Sequence, residues 1–84
     1  QIYRVQLVLE ELLVNIMLPQ MKGERIAIDV TVAYSMKDST LSVYAATDQD
    51  FSLEGQDGDD LSLAMLRAVC TDIVREGGGV RLFL

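Results

Sequence analysis

The sequence predicts a small α+β domain: a two-layer α/β sandwich, its sheet antiparallel or mixed, with helices on one face. Three observations point there. Apolar residues recur with helical spacing over residues 2–18 and again from Leu61. Between these stretches lie two runs that alternate apolar and polar residues, joined by a short polar turn. A third apolar run closes the chain, so helices and strands are interleaved along one short sequence and pack best as two layers.

Residues 2–18 place Ile2, Val5, Leu9, Leu12, Leu13 and Ile16 on one broad helical face, with Gln1, Arg4, Glu11 and Asn15 largely opposite. Leu7, Val8, Val14 and Met17 widen the apolar stripe. Pro19 is expected to stop this helix, and Gln20 to Glu24, with Gly23, to form a loop. Arg25 to Tyr34 reads as a half-buried strand, with Ile26, Ile28, Val30, Val32 and Tyr34 on one side. Met36 to Ser39 is a turn, and Thr40 to Ala46 alternates again through Leu41, Val43 and Ala45.

Thr47 to Asp60 is a polar loop rich in Asp, Gly, Gln and Ser, which Phe51 and Leu53 are placed to pin to the body. Asp59 or Asp60 is positioned to cap the next helix. Leu61, Met65, Ala68, Val69 and Ile73 give helical spacing to about Arg75, where Gly77 to Gly79 reads as the stop. Val80 to Leu84 is the final strand.

The chain has 84 residues, half of them hydrophobic, which sets the expectation of one packed domain over 1–84 with apolar surface left for a partner or a further segment. It starts within a helical pattern and ends within a strand pattern, as expected of the C-terminal part of a larger domain. The net charge of −6, with seven Lys plus Arg scattered along the chain, supplies no basic face for nucleic acid. Such an acidic body suits a basic protein surface. There is no histidine, which excludes His-based triads, His-ligated metals and phosphohistidine relays within the chain. The single cysteine, Cys70, lies in an apolar helical run and reads as core. A lone buried thiol fits a reducing compartment, so a cytoplasmic location is expected. No apolar stretch reaches membrane-spanning length.

Glu11 and Asn15 are four apart on the first helix, so their side chains point the same way. A carboxylate and an amide so placed suit a hydrated Mg²⁺ and an activated nucleophile beside it. By spacing alone they suit better two solvated residues on the wet edge of a core helix. Asp57, Asp59 and Asp60 form an acidic group that reads as a solvated loop and helix cap, since calcium loops space their ligands more regularly.

The run Glu10-Glu11-Leu12-Leu13-Val14-Asn15-Ile16 resembles the N-box of GHKL (histidine-kinase-like) ATPases. Residues 61–70 resemble that family's last glycine box and its helix, with Leu-Arg and Val-Cys where the family has Leu-Val-Arg and Leu-Cys. Val80 to Leu84 resembles its closing strand. The three elements follow in the family's order and cover nearly the whole chain. The likeness is to the second half of a Bergerat-type ATP-binding fold, without the first strand–helix–strand unit. The long final helix expected here points to the anti-sigma-factor serine-kinase branch rather than to sensor histidine kinases.

The resemblance implies ATP and Mg²⁺ as ligands. It assigns Glu11 as catalytic base, Asn15 as Mg²⁺ ligand, and Thr47, Asp48, Asp60 and Ser62 as the nucleotide boxes. It also exposes departures. Thr47, or Asp48 with a one-residue slip, stands where the family has the adenine-binding Asp, and no glycine follows at either alignment. Asp60 and Ser62 replace glycines that bring backbone N–H groups to phosphate. The expectation is therefore a regulatory, anti-sigma-factor-like domain that binds a sigma factor or an anti-sigma antagonist, with nucleotide binding weakened or lost. Two alternatives stand beside it: an active ATP- and Mg²⁺-dependent serine/threonine protein kinase, and a structural domain that self-associates through an exposed apolar helix face.

Overall fold

A computed structural model describes residues 2–53 and 61–84. Gln1 and the acidic stretch from Glu54 to Asp60, with its capping candidates Asp59 and Asp60, lie outside the described residues. Helix α1 begins at Ile2–Leu9 and continues without interruption as π-helical turns over Glu10–Met17. The wider turns are seen at their end, where the Leu18 N–H bonds the Leu13 carbonyl five residues back. Pro19 does not end the helix at once. It falls in the first positions of a closing 3₁₀ turn, Leu18–Gln20, where a missing N–H costs little. Gly23, with φ +100°, then turns the chain.

Four strands form one antiparallel sheet in the order β1-β2-β4-β3: β1 Ile28–Ser35, β2 Thr40–Thr47, β3 Asp72–Glu76 and β4 Gly79–Phe83. The first hairpin matches the sequence reading in its turn and second strand. Ser39, with φ +53°, supplies the left-handed residue of the turn, and β1 pairs β2 in unbroken register from Ile28↔Thr47 to Ser35↔Thr40. Helix α2, Leu61–Val69, links β2 to β3.

Two expectations change. Helix α2 ends at Val69 instead of running to Arg75, and Asp72–Glu76 is a strand. The Arg4 guanidinium, reaching from α1, donates to the Val69 carbonyl at 2.8 Å, a cation at the end of the helix where the dipole favours one. The Thr71 N–H then donates to the Phe83 carbonyl at 2.7 Å and commits the chain to the sheet. Ile73 and Val74 are β-branched and extend readily. Gly77 and Gly78 are accordingly the two-residue turn of a second hairpin, Gly77 at φ +54°, rather than a helix stop. Gly79 starts β4, where a Cβ would lie 2.4 Å from the Ala45 carbonyl oxygen. The shorter α2 also removes the helix-length argument that favoured the anti-sigma branch over sensor kinases.

Strand β1 is the second change. It reads as half-buried, yet every residue after Ile28 is exposed, because β1 is an edge strand beyond the reach of the helices. The core lies instead over the inner strands. Val8, Leu12, Ile16 and Met17 of α1 and Leu66 of α2 meet Ala45 of β2 and Val80 and Leu82 of β4, with Cys70 beside them. The buried stripe of α1 is thus centred on Val8, Leu12 and Ile16, and Leu9 and Leu13 sit at its margin. Phe51 is buried in this cluster and Leu53 packs on it, as anticipated for the loop after β2. Among the described residues no helix is long and apolar enough to cross a membrane.

Candidate functional site

The π-helical turns present Glu11 and Asn15 together. The Asn15 Nδ2 donates to Glu11 Oε2 at 3.1 Å, with Asn15 exposed and Glu11 half-buried. π turns are rare and concentrate at functional sites. Asn15 Oδ1 and Glu11 Oε1 take no part in that bond, and they are hard oxygen donors of the kind Mg²⁺ accepts when phosphates and water complete its shell. Among the described residues no group of three or more His, Cys, Asp or Glu side chains is placed to hold a metal ion.

The far side of the expected pocket is differently built. The Thr47 hydroxyl is taken up locally: it donates to the Met21 sulfur at 3.6 Å and accepts from the Gln49 N–H at 3.4 Å. The Thr47 backbone N–H is spent on the Gly78 carbonyl at 3.2 Å. Asp48 is exposed. An open groove of about 380 Å³ beside them is lined by Ala27, Asp29, Ala46, Thr47 and Asp48, and neither Glu11 nor Asn15 borders it. Ser62 is half-buried in the first turn of α2, and Asp60 lies outside the described residues. The structure therefore joins Glu11 to Asn15 and leaves Thr47 and Asp48 in a separate groove.

Residues the sequence did not single out hold these segments in place. Gln20, in the turn after Pro19, clamps the stretch after β2: its Nε2 donates to the Ser52 carbonyl at 2.7 Å and to the Ile16 carbonyl at 2.8 Å, while its Oε1 accepts from the Ser52 N–H at 2.7 Å. Gln49 answers in the other direction, donating to the Lys22 carbonyl at 2.9 Å and accepting from the Lys22 N–H at 2.8 Å. These two glutamines bond main chain to main chain as a strand would. A pair of glutamines about 30 residues apart carries no local pattern that announces this role.

Two further groups lie nearby. The Arg75 guanidinium stacks 4.3 Å from the centre of the Phe51 ring. It shares a groove of about 360 Å³ with Ser52, Leu53, Leu63 and Arg67. Burial pushes the Cys70 thiol above its usual range, and the nearby Arg4 charge offsets part of that rise. A thiol held in its protonated form is a weak nucleophile, which agrees with a packing role.

For an adenine nucleotide the fit is one-sided. Glu11 and Asn15 fit the metal end. The base end fits less well, because the group standing where the family has a carboxylate is an uncharged hydroxyl that already donates to Met21 and accepts from Gln49. Comparisons with family models, with curated proteins and with solved structures find no match.

Proposed function

We propose that this chain is a regulatory domain of the histidine-kinase-like ATPase type, similar to anti-sigma factors, that acts by binding a protein and has weakened or lost its nucleotide. The observation that carries this reading is the engaged Thr47 hydroxyl, turned to Met21 and Gln49 where an adenine amino group would need an acceptor. The order of elements and the intact N-box pair at Glu11 and Asn15 support descent from a nucleotide site. The apolar side chains left outside on α1 and its closing turn, Tyr3, Val14 and Leu18, give a partner a surface to cover. The acidic balance of the chain favours a partner with a basic face, of the kind a sigma factor or an anti-sigma antagonist would have to offer.

Calorimetric titration with ATP and Mg²⁺ tests this. The expected result is no saturable heat up to about 1 mM nucleotide, weaker than about −4 kcal/mol of binding free energy. Micromolar binding that Asn15→Ala abolishes would overturn it and favour the kinase alternative, with Glu11 as base and Asn15 on Mg²⁺. The Glu11–Asn15 hydrogen bond is the observation that keeps that alternative in view.

A further inference from the structure

Strand β1 is an edge strand with few of the features that keep sheet edges from pairing. It is eight residues long, has no proline, carries one charge, Asp29, and runs without a bulge against β2. On the side of the sheet that faces the helices it shows an apolar row: Val30 is 39% exposed, Val32 49% and Tyr34 60%, and Met36 continues the row into the turn at 85%. On the other side it carries Asp29, Thr31, Ala33 and Ser35. Its outer backbone groups pair with no strand among the described residues.

We propose that this edge pairs antiparallel with the same edge of a second copy, giving a continuous eight-stranded sheet across a two-fold axis. The strand is complementary to itself. Residues opposite each other on antiparallel strands share a face, so an isologous pairing keeps both apolar rows on the helix side and both polar rows on the other. Centred on Ala33, the pairing sets Val32 against the partner's Tyr34, and leaves Met36, on the turn, at the end of the row near the partner's Val30. The polar side then sets Thr31 against the partner's Ser35, and the long Lys37 side chain, on the turn that follows the strand, is within reach of the partner's Asp29. The last match occurs twice in the dimer, once in each direction, and opposite charges facing each other across strands are favourable. An aromatic residue against a β-branched one is among the better cross-strand pairs. The surface differs from the exposed helix face expected for self-association, and the inference does not depend on the nucleotide reading.

Sedimentation velocity on the 84-residue chain from about 10 to about 500 µM tests it, a range suited to a contact smaller than a standard interface. The expected result is a sedimentation coefficient that climbs with concentration toward that of a dimer. Val32→Lys is expected to abolish the climb with unchanged circular dichroism, and Val14→Lys on the helix to leave it intact. Asp29→Lys and Lys37→Asp are each expected to weaken the dimer roughly two- to ten-fold, and the double exchange to restore it. A chain that stays monomeric throughout leaves the edge to a strand from another protein and overturns the self-pairing. So does a dimer that survives Val32→Lys. Failure of the double exchange to restore association overturns the Ala33 register.

Discussion

Strand β3 closes one edge of the sheet with five residues, three of them charged, whereas β1 closes the other with eight residues and a single charge. On the β3 side Glu76 pairs with Arg81 of the neighbouring strand at 2.7 Å, and the Tyr44 hydroxyl donates to the Glu76 carbonyl at 3.1 Å. On the β1 side the exposed side chains between Asp29 and Ser35 are Val, Thr, Ala and Tyr. Both edges belong to hairpins of the same sheet, so the difference does not come from strand formation. It comes from what each edge meets: one is short and charged, as edges facing water usually are, and the other keeps the composition of an interior strand.

Four tests, using six substitutions, probe this division. The largest effect is expected between equivalent positions on an inner and an outer strand. Leu82 of β4 is fully buried, so Leu82→Ala should cost about 2–5 kcal/mol in urea unfolding, while Val32→Ala at low concentration should cost less than about 1 kcal/mol. Equal losses would mean that β1 is covered in the free chain. Next, Gly79→Ala drives a Cβ into the Ala45 carbonyl and should cost about 1–3 kcal/mol, and Gly77→Ala, at positive φ in the open turn beside it, about 1 kcal/mol. The reverse order would place the constraint in the turn rather than in the packing of β4 on β2. Gln20→Ala removes the bonds to Ser52 and should cost about 1 kcal/mol, with earlier hydrogen exchange at the Ser52 amide. The smallest effect is expected at the charged edge: Glu76→Gln should change stability by less than about 1 kcal/mol, since the ion pair is largely solvated.

The junction between α2 and β3 answers to pH. The folded chain holds the Cys70 proton more tightly than the unfolded chain does, so the unfolded state ionises first as pH rises. Stability from this source is complete below about 9 and falls above it. Unfolding midpoints measured from neutral to alkaline pH should show that fall, and Cys70→Ala should flatten it.

The parts of the fold that were legible in the sequence are those set by neighbours along the chain. The turn at 36–39, the strand that follows it, the start of α2 at Leu61 and the anchoring by Phe51 and Leu53 all rest on local alternation or spacing. Strand β3 was not legible, for a specific reason. Leu61, Met65, Val69 and Ile73 keep helical spacing through the point where the chain leaves the helix, and three glycines suit a helix end as well as a hairpin. What decides between them is the Phe83 carbonyl waiting to accept from Thr71, a contact 12 residues away. The exposure of β1 was hidden for a similar reason: alternation says which residues share a side, not whether anything lies over it. At the candidate site the Glu11–Asn15 pair follows from a spacing of four. The capture of Thr47 by Met21, 26 residues earlier, follows from nothing local.

The π-helical turns of α1 have a consequence for how this chain tolerates change in length. Each such ring encloses one residue more than an α turn, so the stretch from Glu10 to Met17 carries surplus backbone that an ordinary helix would not need. Shortening the chain by one there, at exposed Val14 for instance, lets the helix rewind to standard geometry, whereas the same deletion in β2 or β4 would flip every later side chain to the opposite side of the sheet. Length variation among functional versions of this domain is therefore expected to gather in its opening helix, and a change between Glu11 and Asn15, as at Val14, would alter the spacing of four that brings the two side chains together.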